Sequence, residues 1–329
     1  MTSASRLFPV PTSLAPMGPV RQPPFRGTAP ALVTPFSPDG EVDEAAFRRL
    51  IDRQIGGSAG PDGVVYAGVE AVVVMGTTGE NPTVTDAERQ RLVEIAVEHV
   101  AGRAVVVVGV GTNDTAQSAR YARAAADAGA DALLVVSPYY NKPTPDGHVA
   151  HVAAIADAAD CPVILYNVPG RTGQNIPAAL MLRIAEAVPS VAGVKEASGD
   201  LNQIADILAA RPEGFAVYAG DDDLAFPTVC LGADGLISVA ANALPGPVAE
   251  MVRLALAGDV AGARALHFAL LRAMRVNFAE ASPTPVKAVL AAMGEMAARV
   301  RLPLAPLTDA TRALVMDAYA PFLGVAVRA

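Results

Sequence analysis

Only three of the 25 basic residues in this chain are lysines, so each lysine is a place to look for amine chemistry. An amine can attack a carbonyl carbon; a guanidinium cannot. Lys195 ends the apolar run Val191-Ala192-Gly193-Val194 and precedes Glu196-Ala197-Ser198-Gly199. A stem that runs back into a buried strand desolvates the ammonium, which disfavours its charged form and frees the lone pair. Lys195 is therefore a Schiff-base candidate. Lys142 sits in a polar loop between two prolines, where its amine is solvated. Lys287 follows Ser282-Pro283-Thr284-Pro285-Val286 at the start of a later helical pattern, away from the other reactive groups.

Those other groups collect at the ends of short apolar runs. Ala71–Met75 leads into Gly76-Thr77-Thr78-Gly79-Glu80-Asn81, whose glycines permit a tight turn and whose hydroxyls and amides suit a carboxylate. Ala132–Val136 leads into Ser137-Pro138-Tyr139-Tyr140-Asn141-Lys142-Pro143, and Val163–Tyr166 into Asn167-Val168-Pro169-Gly170-Arg171-Thr172-Gly173. Phe215–Ala219 leads into Gly220-Asp221-Asp222-Asp223. Singly, each has a structural reading: a turn, a core or interface tyrosine, a surface arginine, a lysine paired with Glu196. Their joint placement favours chemistry. Metal-dependent chemistry has weaker support, because His148 and His151 lack a third ligand nearby and His99 and His267 lie on amphipathic helices. No Gly-x-Gly-x-x-Gly follows the first apolar run, so dinucleotide binding is also disfavoured.

The elements that must position these groups alternate regularly. Eight strand-like runs are expected, at Ala31–Thr34, Ala71–Met75, Val105–Val110, Ala132–Val136, Val163–Tyr166, Val191–Lys195, Phe215–Ala219 and Gly235–Val239. Between them lie amphipathic helical stretches, one of which opens with the capping pair Thr85 and Glu88. Near-continuous apolar strands separated by helices indicate a parallel sheet buried on both faces, and eight units match a TIM (β/α)8 barrel. Such a barrel builds its site at the carboxyl ends of the strands, where the polar groups fall. The expected organisation is a Pro- and Arg-rich disordered tail at 1–28, a barrel at 29–240 and a C-terminal helical region at 241–329. Gly56 to Val69 reads as a loop insert before the second strand.

A formal charge of −8 without a dense basic stripe argues against nucleic acid. The apolar runs fall short of the roughly 18 to 20 residues of a membrane span. Cys161 and Cys230 sit in apolar contexts that suggest buried free thiols, so a reducing cytoplasm is expected. The stretch before Asp39 holds no acidic residue, and it lacks the apolar segment of a secretory signal.

The ordered set Gly76-Thr77-Thr78-Gly79-Glu80, Tyr139-Tyr140-Asn141-Lys142-Pro143, Tyr166-Asn167-Val168-Pro169-Gly170-Arg171-Thr172-Gly173, Gly193-Val194-Lys195-Glu196-Ala197 and Gly220-Asp221-Asp222 resembles the dihydrodipicolinate synthase/N-acetylneuraminate lyase family over about residues 29 to 325. The resemblance implies a class I, pyruvate-dependent aldolase that needs neither metal nor organic cofactor and is usually a homotetramer, a dimer of tight dimers. It assigns the imine to Lys195, proton shuttling to Tyr166, a hydroxyl relay to Thr78 and Tyr140, and pyruvate's carboxylate to Thr77 and Thr78. In the family pattern the equivalent of Tyr140 completes the site of the neighbouring subunit. Gly220 and Ile237 would line the same pocket. Arg171 points to the synthase branch, in which the arginine engages the carboxylate of L-aspartate 4-semialdehyde on the route to diaminopimelate and lysine. Two alternatives stand beside this one: a related pyruvate aldolase or dehydratase with another acceptor, and a catalytically silent binding paralogue. Asn81 and the 56–69 insert depart from the family pattern. Asp86, Arg89 and Gln117 replace the effector-contacting residues of lysine-inhibited members, which implies weak or absent feedback by lysine.

Overall fold

The computed structural model describes residues 21–326, with side chains through Leu323. The first twenty residues of the expected tail lie outside the described residues. Eight parallel strands make the barrel: β1 Gly27–Pro30, β2 Ala71–Val74, β3 Val105–Gly109, β4 Ala132–Val136, β5 Val163–Asn167, β6 Val191–Glu196, β7 Ala216–Ala219 and β8 Gly235–Ser238. Neighbours follow chain order from β2 to β8, and β8 pairs with β1. A bridge from Ala31 to Val73 closes the ring, with the Leu32 amide donating to the Val73 carbonyl at 2.8 Å. Runs such as Val105-Val106-Val107-Val108 suit these positions, because β-branched side chains pack well on a pleated surface covered on both faces.

Helices α1 Glu44–Gly56, α2 Asp86–Val100, α3 Thr115–Asp127, α4 Pro145–Ala156, α5 Ala178–Ala187, α6 Leu201–Ala210, α7 Ala225–Cys230 and α8 Pro245–Leu256 surround the barrel. Local chemistry starts several of them where the strand-to-helix loop ends. Asp43, Asp114 and Asp200 accept backbone amides at the starts of α1, α3 and α6, and Thr85 and Glu88 form the expected capping box of α2. Three more helices, α9 Val260–Val276, α10 Thr284–Ala292 and α11 Asp309–Ala326, pack with α8 into a second apolar core beside β1 and β8.

The barrel interior is narrow. Ala29, Ala71, Ala132 and Ala216 leave room at its amino-terminal end for Phe25 and Tyr218, whose rings stack at 4.3 Å. The Tyr218 hydroxyl donates to the Phe25 carbonyl at 2.7 Å. Arg21 reaches the Val191 carbonyl at 3.1 Å, so residues 21–26 form the floor of the barrel rather than part of a loose tail.

Four local expectations are corrected. β1 begins at Gly27, ahead of the expected Ala31–Thr34, because that apolar run serves instead as the buried connection leaving the strand: the Val33 amide donates to Asn242 and the Thr34 hydroxyl to the Gly79 carbonyl. Apolar content marks burial in either role. The insert is a small hairpin of Ser58–Ala59 against Val65–Tyr66, and Gly246 of α8 lies so close to it that a β-carbon there would sit 2.3 Å from the Ser58 carbonyl. Helix α7 was not expected, since six residues including Pro227 are too few to show a helical period. Cys161 is buried, but Cys230, at the end of α7, is exposed.

Candidate active site

Lys195 stands one residue from the carboxyl end of β6, in register with Tyr166 on β5 and Tyr218 on β7. Residues in register on parallel strands share a face, so all three side chains point into the barrel. Lys195 is 5% exposed, and its Nζ lies 4.4 Å from the centre of the Tyr166 ring. Tyr218 is turned down toward Phe25. Among the described residues no acceptor takes a hydrogen bond from the Lys195 amine.

The neighbour that could have neutralised it points the other way. Glu196 follows Lys195 and therefore lies on the outer face of the strand. Its carboxylate accepts from Asn167 Nδ2 at 2.9 and 3.1 Å, from the Ser198 amide at 2.9 Å and from Gln203 Nε2 at 3.1 Å. Burial pushes its pKa up while these donors oppose that rise. The pairing of Lys195 with Glu196 that adjacency in sequence allowed is absent.

The end of β2 supplies a turn. Thr77–Gly79 forms one 3-10 turn, in which the Gly79 amide donates to the Gly76 carbonyl at 3.1 Å and the Glu80 amide to the Thr77 carbonyl at 3.0 Å. The amides of Thr77 and Thr78 precede these bonds, in the position where the first donors of a helical turn face outward. Thr78 is buried and Thr77 half-buried. Behind the turn, the Glu80 carboxylate accepts from Lys287 Nζ at 2.5 Å and from the Arg301 amide at 2.9 Å. Lys287, which its sequence position places away from the reactive groups, is fully buried and reaches the rim of the barrel. Its rarity was the available signal, the same one that singled out Lys195.

At the end of β7 the Gly220 amide donates to the Glu196 carbonyl at 2.7 Å, and a β-carbon on Gly220 would meet the Ala197 Cβ at 2.5 Å. Glycine is required by that approach. Asp222 is buried and accepts from the amides of Val239 and Ala240 at 3.0 Å each and from the Ser238 hydroxyl, which fixes the β7 and β8 ends together. Burial raises the Asp221 carboxyl to about 6, against the opposing charge of Lys195. Ile237 is buried in the interior cluster that holds Tyr166 and Tyr218.

Two expected site residues lie at the surface of this chain. Tyr140 is 91% exposed with φ +69°, a left-handed conformation uncommon for a residue with a side chain. Arg171 is exposed on the short helix Pro169–Thr172 that follows β5. Among the described residues no hydrogen bond joins Tyr140 to Thr78 or Thr78 to Tyr166. A separate cleft lies between α2 and α3, lined in part by Asp86, Arg89, Gln117 and Tyr139. There the Arg89 guanidinium stacks on the Tyr121 ring at 4.1 Å and donates to the Gly109 carbonyl at 2.8 Å.

An acceptor-free amine over a phenol at the carboxyl end of the sixth strand of a TIM barrel is the arrangement of a lyase of the class I aldolase type. The chain belongs to the dihydrodipicolinate synthetase family, whose sequence model matches residues 24–320. It is 54% identical over 305 residues to a 4-hydroxy-tetrahydrodipicolinate synthase of Salinibacter ruber, covering 92% of this chain and 98% of that one. It is 47% identical over 290 residues to the protein of the same name from Koribacter versatilis, covering 88% and 93%. The crystal structure of dihydrodipicolinate synthase from Aquifex aeolicus superposes with a TM-score of 0.85 at 37% identity, over 91% of this chain and 98% of that one. The Thermotoga maritima dihydrodipicolinate synthase gives 0.83 at 38% identity, over 92% and 99%.

Proposed function

We propose that this chain is a lyase that condenses pyruvate with L-aspartate 4-semialdehyde, the 4-hydroxy-tetrahydrodipicolinate synthase reaction of diaminopimelate and lysine biosynthesis. The observation that carries the reading is the buried, acceptor-free amine of Lys195 over Tyr166. High identity to synthases along nearly the whole chain supports the choice of acceptor.

The lone pair of Lys195 Nζ attacks the ketone carbon of pyruvate, and the carbinolamine loses water to give a protonated imine. That cation is the electron sink, so the methyl carbon loses a proton and becomes an enamine carbon without help from a metal or organic cofactor. The enamine carbon attacks the aldehyde of the acceptor, whose oxygen takes up a proton. The acceptor's amino group then attacks the imine carbon, closes a six-membered ring and expels Lys195. Tyr166, with its ring against Lys195, is the group placed to give and take these protons.

Thr77 and Thr78 hold the pyruvate carboxylate with their amides and hydroxyls, while Gly220 and Ile237 line the pocket. Arg171 offers the acceptor's carboxylate a two-pronged donor. Tyr140 projects from this chain to complete the relay through Thr78 in a second copy, as its exposure favours. The assembly is accordingly a homotetramer of two tight dimers in the cytoplasm. No helix among the described residues is long and apolar enough to cross a membrane.

Incubation with pyruvate and borohydride, followed by mass mapping, should place a reduced adduct on Lys195. Its absence would remove the synthase and every other Schiff-base reading, leaving the silent binding paralogue. Turnover with aspartate semialdehyde but not with sugar aldehydes then fixes the acceptor. Lysine should inhibit weakly or not at all, and an inhibition constant in the micromolar to low-millimolar range contradicts that.

A further inference from the structure

The second buried lysine has no part in the chemistry above, yet it touches the turn assigned to pyruvate. Lys287 Nζ donates to Glu80 at 2.5 Å and to the Thr34 carbonyl at 2.9 Å, and lies 4.3 Å from the centre of the Phe36 ring. The Thr34 hydroxyl donates to the Gly79 carbonyl at 2.6 Å. Lys287, Glu80, Gly79 and Thr34 thus form a closed ring of contacts around the back of the Thr77–Gly79 turn. The other Glu80 oxygen is held by the Arg301 amide, from the segment after α10.

The turn needs such a brace. Met75 at its start and Glu80 at its end have φ of +56° and +55°, left-handed values that a side chain disfavours. Strained backbone of this kind persists where its surroundings over-determine it. Glycine would suit the Glu80 position without strain, so a glutamate there gains its place through its carboxylate. Stability alone is a poor explanation, because a buried ion pair can often be replaced by apolar groups without loss.

We infer that Lys287 and Glu80 are positioning residues: the pair fixes the Thr77–Thr78 amides and hydroxyls at the distance from Lys195 that pyruvate requires. The C-terminal helical region thereby sets the geometry of the pyruvate subsite. This rests on the assignment of pyruvate's carboxylate to the turn.

The test titrates pyruvate in borohydride trapping and in steady-state turnover, with circular dichroism to verify folding. Glu80→Gln is nearly isosteric, and Lys287→Met keeps most of the side-chain volume. A carboxylate subsite displaced by a fraction of an ångström should raise the pyruvate KM and the half-saturating pyruvate for trapping about tenfold. The semialdehyde KM should stay within about twofold, since Arg171 is untouched. The Glu80→Gln, Lys287→Met double variant removes both charges, so neither is left buried and unpaired. A pyruvate KM still raised about tenfold in that folded double variant supports positioning. Recovery to the unsubstituted value overturns it, because the single-variant defects then came from an orphaned charge. Failure of all three variants to fold also overturns it, since the pair would then be a scaffold element. A wild-type protein that is not trapped by pyruvate would instead refute the aldolase reading.

Discussion

Lys195 and Lys287 are both buried, and each places its ammonium over an aromatic ring, 4.4 Å from Tyr166 in one case and 4.3 Å from Phe36 in the other. Burial and ring contact therefore do not distinguish the two amines. The difference lies in the acceptors. Lys287 has a carboxylate and a carbonyl, so attack by its nitrogen would break two hydrogen bonds and leave the buried Glu80 charge without its counter-ion. Burial pushes its pKa down to about 8, and Glu80 opposes the fall. Among the described residues Lys195 has no such bonds to lose, and the ring beside it carries a hydroxyl where the other has none. The proposed division of roles rests on that difference: an amine without an acceptor beside a phenol in one case, a partnered amine beside a hydrocarbon ring in the other.

Exchanging the roles should expose the contrast at its strongest. Lys195→Met should abolish the borohydride adduct and lower turnover by a factor on the order of 10⁴ or more, with folding stability changed by less than about 1 kcal/mol. A persisting pyruvate adduct in this variant would transfer the chemistry elsewhere. Tyr166→Phe gives Lys195 a ring without a hydroxyl, as Phe36 is for Lys287. Loss of a proton shuttle of this kind reduces rate by roughly 10² to 10⁴, read as kcat in steady-state assays. Lys287→Met should act on the other scale: breaking a buried pair costs about 3–5 kcal/mol of stability, measured by urea unfolding, while the adduct on Lys195 still forms at saturating pyruvate. Equal loss of adduct in Lys287→Met would erase the distinction between the two lysines.

The contrast also marks what the sequence conveys. Lys195 was legible because a both-face-buried parallel strand reads as a continuous apolar run, and a lysine ending such a run is conspicuous. The placement of Tyr166, Thr78 and Arg171 near strand ends was legible for the same reason: Tyr166 is the penultimate residue of its strand, and the other two follow theirs. The Lys287–Glu80 contact joins residues more than 200 positions apart, and nothing in the local pattern at Pro285-Val286-Lys287 states which charge will meet it. The first strand was displaced because Gly27–Pro30 contains neither alternation nor β-branched density, whereas the connection after it is richly apolar. Periodicity reports how deeply a segment is buried; partners across the fold come only from its closure.

A smaller effect belongs to Arg171, which should tell what the nucleophile attacks without altering whether it forms. Arg171→Ala removes charge-assisted hydrogen bonds of about 1.5–3 kcal/mol, so the semialdehyde KM should rise roughly 10- to 100-fold while pyruvate trapping is unchanged. Arg171→Lys keeps the charge but not the planar fork, and should recover only part of the loss. A semialdehyde KM unmoved by Arg171→Ala would point to another acceptor for the enamine.

The finest test concerns the carboxylates near the two lysines. Glu80 is bonded directly to Lys287, whereas Asp221 feels Lys195 only through space and sits at about 6 because burial outweighs that attraction. A carboxyl raised in the folded state binds a proton that the unfolded chain has released, so its contribution to stability is fully present below pH 3.8, its ordinary value, and is lost as pH rises through 6. Asp221→Asn removes that dependence. Relative to wild type, the variant should therefore gain stability as pH rises from 4 to 7, by up to roughly 2 kcal/mol in urea unfolding at matched salt. A difference that stays flat across this range would mean that Asp221 titrates as a solvated carboxylate, and that Lys195 faces a more open and wetter rim than its burial implies.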